Sequence, residues 1–515
     1  MTGAVYGISR YKAGTLSRRR LGLFLIFMTS ADILLAQCYI RSGNRALWHF
    51  YGGCAAALLL YWLSDLKKYR RQINSLLIIM LGACLKLYYL LITSVYVRQH
   101  DVNSFGGEDG HAGYIEYLLT HRRLPGFDVR ERWQFCHPPL HHGISAAWIY
   151  VNESCFGVGY DQARESLQTL SLFWSLCIVI SAYRLLRHFE LKGKALYIPL
   201  VIISFHPSLI LFSGSINNDP LAAAFVTGGL AEALKWQRDR RLGSIIKLAL
   251  CIGLGMMTKL SAALIAPPVA LVFLLTFIRH FKAEGRRLFC QFVIFAAVCL
   301  PLGLWFGVRN YLRWEVPFTY VQEMDKSELQ YLGEMSFKER VTDTSLRRFS
   351  SPYEQWAERD EEGNITGYNE YDPLAALLKN SLFGEFINEK SFKEGSYVNK
   401  LAALLFFTNI CLAAEALLAM LLTCVKKPSA DKLFLALTWL MMVASFYKMA
   451  ADYPFTCTMN FRYITPTALI GSCFLGLALK EQKPRPAGKF LTALLAAEAG
   501  VFAFCAGGVY TGLVG

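Results

Sequence analysis

Apolar runs long enough to cross a lipid bilayer recur along the whole chain. A membrane-spanning helix needs about 20 mostly apolar residues, and by that length we count about thirteen such runs. Their approximate cores are 21–40, 46–63, 75–97, 167–187, 195–213, 220–236, 243–258, 261–279, 288–308, 398–424, 432–450, 462–480 and 489–512. The composition is 54% apolar, which argues against an ordinary soluble enzyme. The sequence therefore predicts an all-α polytopic membrane protein.

Basic residues gather in every second connection between these runs. They are Arg18, Arg19 and Arg20; Lys67, Lys68, Arg70 and Arg71; Arg184, Arg187, Lys192 and Lys194; Arg238, Arg240 and Arg241; Arg279, Lys282, Arg286 and Arg287; and Lys426, Lys427, Lys432, Lys480, Lys483 and Arg485. The positive-inside rule places these connections, and the N-terminus, in the cytoplasm. An odd number of spans then puts the C-terminus outside. Because the net charge of +15 is spread over many loops, it indicates topology and not a nucleic-acid partner.

Two long connections interrupt the short loops, and the alternation places both on the non-cytoplasmic side. The chain then divides into five parts. These are N-terminal transmembrane helices (1–97), a first outer loop (98–166), central transmembrane helices (167–309), an extracytoplasmic cap loop (310–397) and C-terminal transmembrane helices (398–515). The first outer loop is predicted to hold two amphipathic helices on the membrane surface, one over 109–119 and one from Pro138 to about Val151.

Acids, histidines and prolines are concentrated in the first outer loop. Gly107-Glu108-Asp109-Gly110-His111 is followed by His137-Pro138-Pro139-Leu140-His141-His142. Two adjacent carboxylates beside a membrane are costly unless they bind or react with something. This loop is therefore the predicted site of chemistry.

This order of motifs, on this topology, resembles the polytopic GT-C glycosyltransferases. The nearest likeness is to the branch with the protein O-mannosyltransferases and the bacterial lipid A aminoarabinose transferase. It is strongest over 105–150 and extends through 213–221, 253–261 and 461–466. The resemblance implies a GT-C fold and transfer of a sugar from a polyprenyl-phosphate donor. The acceptor would be a hydroxyl of a lipid, protein or polysaccharide on the outer face.

Glu108 and Asp109 are the candidate catalytic residues. An inverting transfer needs a base for the acceptor hydroxyl proton, and a carboxylate at the membrane edge can serve. The Glu-Asp order here reverses the Asp-Glu order of the mannosyltransferases, which leaves the choice of base open. We favour Asp109, since the resemblance implies an aspartate close to the histidine. The alternative is that Asp109 only caps the helix that it begins.

Five further residues are predicted to bind substrate: His111, His137, Tyr114, Asn218 and Asp219. The histidines would orient a carboxylate or contact phosphate or acceptor. The resemblance implies that the turn with Asn218 and Asp219 faces the cavity, although Asn-Asp-Pro is also an ordinary helix start. No cofactor is required by these residues. A divalent metal held by the histidines with Glu108 or Asp109 stays open, but the spacing matches no compact zinc motif.

Three cations are predicted to bind the lipid phosphate. Lys259 lies in a Thr-Lys turn that resembles the lipid-phosphate turn of the family. Arg462 begins a late span, and Arg309 ends an earlier span on the same side. A guanidinium can clamp a phosphate with two hydrogen bonds. Each of the three residues is also placed where an ordinary interfacial anchor would be.

Two other readings of the chain remain. A transporter or lipid flippase would carry ionisable residues near mid-span, whereas here the notable acids cluster in outer loops and the spans carry few charges, with Asp32 and Glu415 among the exceptions. A non-catalytic membrane scaffold would use the acidic second outer loop for protein contacts, but it would leave the grouping of Glu108 to His111 unexplained. A disulfide between Cys136 and Cys155 is an option, but free thiols are favoured, and the cysteine usage favours a bacterial plasma membrane.

Overall fold

The computed structural model describes residues 70–328, 330–355, 370–394, 396–482 and 485–513. The first two predicted spans, 21–40 and 46–63, lie outside these ranges. So do Arg18 to Arg20, Lys67 and Lys68, and the acids of the second outer loop at 358–362.

The described residues form helices joined by loops. The α-helices are α1 (Arg70–Leu91), α2 (Gly110–His121), α3 (Leu140–Phe156), α4 (Tyr160–Glu165), α5 (Leu167–His188), α6 (Lys194–Ser204), α7 (Pro207–Gly214), α8 (Asp219–Asp239), α9 (Leu242–Thr258), α10 (Ala266–Trp314), α11 (Phe337–Thr342), α12 (Pro373–Phe383), α13 (Val398–Lys426), α14 (Ala430–Asp452), α15 (Pro466–Glu481) and α16 (Pro486–Thr511). Short 3-10 helices cover Leu260–Ile265, Leu346–Phe349, Glu389–Ser391, Thr456–Thr458 and Phe461–Ile464. Extended pairing within the described ranges is limited to the isolated bridges Tyr331–Phe455 and Phe392–Leu513.

Six helical segments of the described chain are long and apolar enough to cross a membrane, and eight if each of two bent pairs counts as one span. One pair is α6 with α7, bent by 42°, and the other joins Thr456–Ile464 to α15, bent by 50°. The protein is thus an all-α, multi-pass membrane protein. The number of about thirteen spans for the whole chain remains a prediction.

Helix α10 is assigned as one continuous segment of 49 residues, but it turns back on itself. The ring of Phe273 lies 4.8 Å from that of Phe292 and 5.1 Å from that of Phe295. In a straight helix, Phe273 and Phe292 would be about 28 Å apart. The chain must therefore reverse between them, as the two predicted spans 261–279 and 288–308 require. Glu284, within this reversal, accepts a hydrogen bond from Arg240 at 3.1 Å.

The basic connections meet at one end of the helix bundle. His188 lies 2.8 Å from Asp431, which also pairs with Arg238 at 3.5 Å. Lys432 pairs with Glu481 at 2.8 Å between two later helices. Connections that are far apart in sequence therefore share one end of the bundle. The charge pattern predicted this grouping, because it assigned all of them to the same side of the membrane.

The first outer loop contains the two predicted helices. Helix α2 begins after Asp109 and α3 after Pro139, and they pack through Ile115, Ala146 and Ile149. Helix α3 extends to Phe156, five residues beyond its predicted end at Val151. Whether the two helices lie on the membrane surface remains a prediction.

The described part of the second outer loop packs against the third outer loop, 451–462. The backbone N–H of Leu332 donates to the carbonyl of Pro454 at 2.7 Å, and that of Thr456 donates to Gln330 at 2.9 Å. Lys379 and Glu370 form an ion pair at 2.6 Å, and both side chains are fully buried. Buried charges need paired partners, so this part of the loop is folded. Tyr510 of α16 donates a hydrogen bond to the carbonyl of Leu382, which holds the loop against a membrane helix.

Candidate functional site

A cavity of about 340 Å³ opens at the end of the bundle opposite the basic connections. The first outer loop, the second outer loop and the ends of α8, α9, α10 and α14 surround it. Of the described residues, three carboxylates and two cations line it: Asp101, Asp219, Glu385, Lys259 and Arg462. Concave sites with converging polar groups are where ligands bind, so this cavity is the candidate active site.

The charged side chains at the centre of the cavity are interleaved. Arg462 Nη2 lies 3.0 Å from Asp101 Oδ2, and Arg462 Nε lies 3.5 Å from Asp219 Oδ2. Lys259 Nζ pairs with the other oxygen of Asp219. Asp219 is buried, and Arg462 is nearly so. Both cations are therefore held by carboxylates in a region partly shielded from water, where charge interactions are stronger than at a surface.

Local sequence places Asp219 and Lys259 at helix ends. Asp219 is the first residue of α8, with Pro220 in the first turn, as the Asn-Asp-Pro motif predicts. Lys259 follows α9 in an extended conformation, and its ammonium lies 4.7 Å from the centre of the Tyr463 ring. The predicted phosphate-binding residues Lys259 and Arg462 are thus brought together.

Asp101 is a cavity carboxylate that sequence reasoning overlooked. It lies in the left-handed region, with φ of 57°, a conformation that aspartate tolerates better than most residues. Its carbonyl accepts from the N–H of His111, and that of Val102 accepts from Ala112, both at 2.9 Å. Gly110 permits this contact, since a Cβ there would lie 2.5 Å from the Val102 carbonyl oxygen. The only available signal was an acid directly after the span 75–97.

The charge state of Asp101 follows from its neighbours. Burial alone would raise the pKa of Asp101, but Arg462, His100 and Lys259 lower it, and the net pKa lies below the ordinary value. The carboxylate is therefore ionised at neutral pH. It can accept a proton only if Arg462 or Lys259 is drawn away.

His111 and His137 both line the cavity, with their rings stacked 5.6 Å apart. His111 Nδ1 lies 2.8 Å from His142 Nε2. Burial and the nearby Lys259 lower the pKa of His137 to about 4, and burial holds the pKa of His111 well below its ordinary value. Both cavity histidines are therefore neutral hydrogen-bonding groups. Among the residues described, no group of three or more His, Cys, Asp or Glu side chains is arranged to hold a metal ion.

The predicted catalytic pair lies outside the cavity that holds Lys259 and Arg462. Neither Glu108 nor Asp109 is among the described residues that line the cavity. The Glu108 side chain is 78% exposed and pairs with Arg132 at 2.9 Å. Asp109 Oδ1 accepts from the backbone N–H of Trp133 at 3.0 Å and makes no side-chain cap to α2. A catalytic role for either residue stays a prediction. Their position outside the cavity does not favour it.

Two predicted substrate-binding residues are buried in packing. Tyr114 is stacked between Phe135 at 4.5 Å and His142 at 4.2 Å. Asn218 donates to the carbonyl of Thr258 at 3.3 Å. Neither side chain is found among the described lining residues. Their contacts join α2 to α3 and α8 to α9, which supports the cavity wall without reaching the cavity.

Arg309, the third predicted phosphate ligand, is engaged elsewhere. Its guanidinium donates to the carbonyl of Pro125 and, at 2.8 Å, to Asn310 Oδ1, and lies over the ring of Trp314 at 4.8 Å. These contacts anchor the end of α10 to the first outer loop. A role in phosphate binding would require Arg309 to leave them.

Cys136 lies in the cavity wall, and Cys155 is exposed on α3. Both are free thiols, so the structure does not form the disulfide considered from the sequence. This agrees with the favoured reading of unoxidised cysteines.

No protein-family model and no curated protein matches this sequence. Among solved structures, the chain is similar to ArnT from Cupriavidus metallidurans bound to undecaprenyl phosphate. The TM-score is 0.50 at 13% identity, over 85% of this chain and 76% of that chain. The apo state of the same ArnT gives 0.49 at 14% identity, with the same coverage. AglB, the oligosaccharyltransferase of Archaeoglobus fulgidus, in complex with an inhibitory peptide and a dolichol-phosphate, gives 0.47 at 13% identity, over 88% of this chain and 57% of that chain. The likeness to ArnT establishes architecture: this chain is an all-α polytopic membrane protein with the GT-C fold.

Proposed function

We propose that this protein is an integral membrane glycosyltransferase that moves a sugar from a polyprenyl-phosphate-linked donor to a hydroxyl acceptor. The observation that carries the proposal is the single cavity in which Asp101 and Asp219 meet Lys259 and Arg462. Those four groups supply what the reaction needs, a proton acceptor and cations for a departing phosphate. The GT-C fold and its likeness to an ArnT solved with undecaprenyl phosphate add support.

Lys259 and Arg462 are the proposed ligands of the donor phosphate. The phosphate gains a negative charge when the phosphodiester becomes a phosphomonoester, and cations placed beforehand stabilise that charge. Because carboxylates hold both cations in this structure, the donor phosphate must take the place of at least one of them.

Asp101 is the proposed base. The acceptor oxygen would form a bond to the anomeric carbon while the bond from that carbon to the phosphate oxygen breaks. The hydroxyl proton would pass to the Asp101 carboxylate, and attack opposite the leaving phosphate would invert the anomeric centre. While Arg462 is bound, Asp101 is a weak base. Donor phosphate that draws Arg462 away would raise the proton affinity of Asp101 as the reaction requires.

The remaining cavity groups have supporting roles in this proposal. Asp219 contacts both Lys259 and Arg462 and so orients the phosphate ligands. His137 and His111 are neutral, and they can hydrogen-bond sugar or acceptor hydroxyls without adding charge. The acceptor itself stays open between a lipid, a protein and a polysaccharide.

The sidedness of the site follows from charge. The cavity lies at the end of the bundle opposite the basic connections, which the positive-inside rule assigns to the cytoplasm. We therefore assign the active site to the extracytoplasmic face. The proposed bacterial plasma membrane rests separately on the cysteine usage of the sequence. Accessibility labelling that placed residues near 101 and 459 in the cytosol would contradict this.

Transfer by purified protein in lipid nanodiscs tests the function, with a candidate donor chosen by mass spectrometry of co-purifying lipids. Asp101→Asn should lower kcat by about 10²- to 10⁴-fold, the usual contribution of a general base. Asp109→Asn and Glu108→Gln should retain most activity, as should Glu131→Gln, an exposed acid of the same loop. If only Asp109→Asn loses activity, Asp109 is the base, as predicted from the sequence. Lipid or solute translocation without sugar transfer would favour the transporter.

A further inference from the structure

Glu385 is a cavity carboxylate to which neither the sequence motifs nor the reaction above gives a role. It follows α12 after a turn at Gly384, where φ is +58°, and only 6% of its side chain is exposed. It lines the main cavity and also a smaller hollow that shares Arg462 with it. A buried carboxylate between two cavities needs partners to offset its loss of solvent.

Each oxygen of Glu385 contacts a different segment of the chain. Oε2 lies 3.2 Å from His100 Nδ1, and Oε1 accepts from Asn460 Nδ2 at 2.5 Å. His100 directly precedes Asp101. Asn460 begins the 3-10 helix Phe461–Ile464, and its Oδ1 accepts from the backbone N–H of Arg462 at 3.0 Å. One carboxylate therefore joins the two segments that carry the proposed base and the phosphate-binding guanidinium.

The support beneath Glu385 is itself fixed. Asn380, in α12, accepts from the backbone N–H of Phe461 at 3.1 Å. Ser208, in α7, donates to the carbonyl of Ser381 at 2.6 Å. Glu385 thus directly follows a helix, α12, that is hydrogen-bonded to α7 and to the segment of Phe461. Its contacts with His100 and Asn460 are therefore held at a defined distance from each other.

The segment before α2 needs such support. Arg98, Asp101 and Asn103 all have positive φ values, of 56°, 57° and 60°. Left-handed conformations of residues other than glycine cost free energy and persist only where surrounding contacts hold them. The contact between Glu385 and His100 is one of these, and it acts on the residue next to Asp101.

We propose that Glu385 is a positioning residue, which holds the segments of Asp101 and Arg462 so that the base and the phosphate ligand keep their spacing. The relevance of this spacing to catalysis rests on the proposed function. Because both oxygens of Glu385 already contact protein groups, it acts through Asp101 and Arg462, which lie 3.0 Å apart although 361 positions separate them.

Kinetics of Glu385→Ala and Glu385→Gln test the proposal, with Glu389→Ala as the control on an exposed acid of the same loop. Glu385→Ala should lower kcat by about 10²-fold, the effect of a displacement near 1 Å, with the donor KM within about threefold of wild type. Glu385→Gln should restore most of kcat, because its amide can bond both His100 and Asn460. If Glu385→Ala does not fold, His100→Ala removes one of the two contacts and should give the same kcat defect.

A structure of Glu385→Ala, or of His100→Ala, supplies a readout independent of turnover. In the donor-free variant, the distance between Asp101 and Arg462 should exceed hydrogen-bonding range; the donor-free state is the one to compare, because the donor phosphate itself is proposed to draw Arg462 away. If Asp101 and Arg462 remain in contact in the variant, the proposal is wrong whatever happens to kcat. A fall in kcat would then mean that Glu385 itself contacts the substrate. A broken contact with unchanged kcat also overturns the proposal. If wild-type protein transfers no sugar, the proposed function fails, while the distance still decides whether Glu385 holds the pair together.

Discussion

Replacing Arg462 with methionine is the most direct test of the charge arrangement. The guanidinium reaches Asp101 at 3.0 Å and Asp219 at 3.5 Å, and it is the cation that links the proposed base to the phosphate site. Loss of one preorganised group that faces developing charge costs about 2.7–4 kcal/mol of transition-state stabilisation. We therefore expect kcat of Arg462→Met to fall by about 10²- to 10³-fold.

Arg462→Lys separates charge from geometry. An ammonium is a point charge and cannot reproduce the two-sided contact of the guanidinium. It would lose one charge-assisted hydrogen bond, worth about 1.5–3 kcal/mol, so kcat should fall by about ten- to a hundredfold. A lysine as damaging as methionine would show that geometry outweighs charge at this position.

The assay is transfer of labelled sugar in nanodiscs, with thermal unfolding of each variant as a check on folding. Arg313→Met is the matched control, an exposed arginine near the end of α10. Should folded Arg462→Met keep more than about a third of wild-type kcat, the cation does not stabilise the transition state and the reasoning from oxyanion-type stabilisation is refuted.

Two further predictions concern residues outside the charge network. Burial and the carboxylates Glu385 and Glu370 raise the pKa of Glu354 well above its ordinary range. The folded protein therefore binds this proton more tightly than the unfolded chain, so the stability contribution is present below about pH 4 and is lost as pH rises through the raised pKa. As pH rises, the unfolding midpoint of Glu354→Gln should fall less than that of wild type. If the two proteins show the same dependence on pH, Glu354 is ionised in the folded protein. For Arg309→Met, the donor KM should change by less than about threefold, because the guanidinium bonds Pro125 and Asn310; an increase above about tenfold would restore its predicted role in phosphate binding.

Much of the fold could be read from local pattern. The basic turn at 279–287 predicted the reversal that the stacked rings of Phe273 and Phe292 reveal inside one continuous helical assignment. Asn218, Asp219 and Pro220 predicted the start of α8. Such features depend on the length of an apolar run, the charge of a loop and the capping of a helix. Each of these is determined by about 20 neighbouring residues or fewer.

The candidate site was predicted only in part. Lys259, Arg462 and Asp219 were selected from separate motifs, and the structure joins them in one cavity. Asp109 was favoured because the resemblance implies an aspartate close to the histidine, yet its carboxylate accepts a hydrogen bond from the backbone of Trp133. Asp101 was overlooked because a single acid after a span has no distinctive pattern; its partner, Arg462, is 361 positions away.

The order of residues alone determined that this chain enters a membrane as helices, which of its connections share a side, and which loops are rich in reactive groups. Hydrophobicity and charge act on each segment before any packing occurs, so these properties can be read one segment at a time. Only the tertiary structure decided which carboxylates face the cations. A carboxylate becomes a base or a surface ion according to the charges within a few ångströms of it, and at this site those charges come from loops hundreds of residues apart.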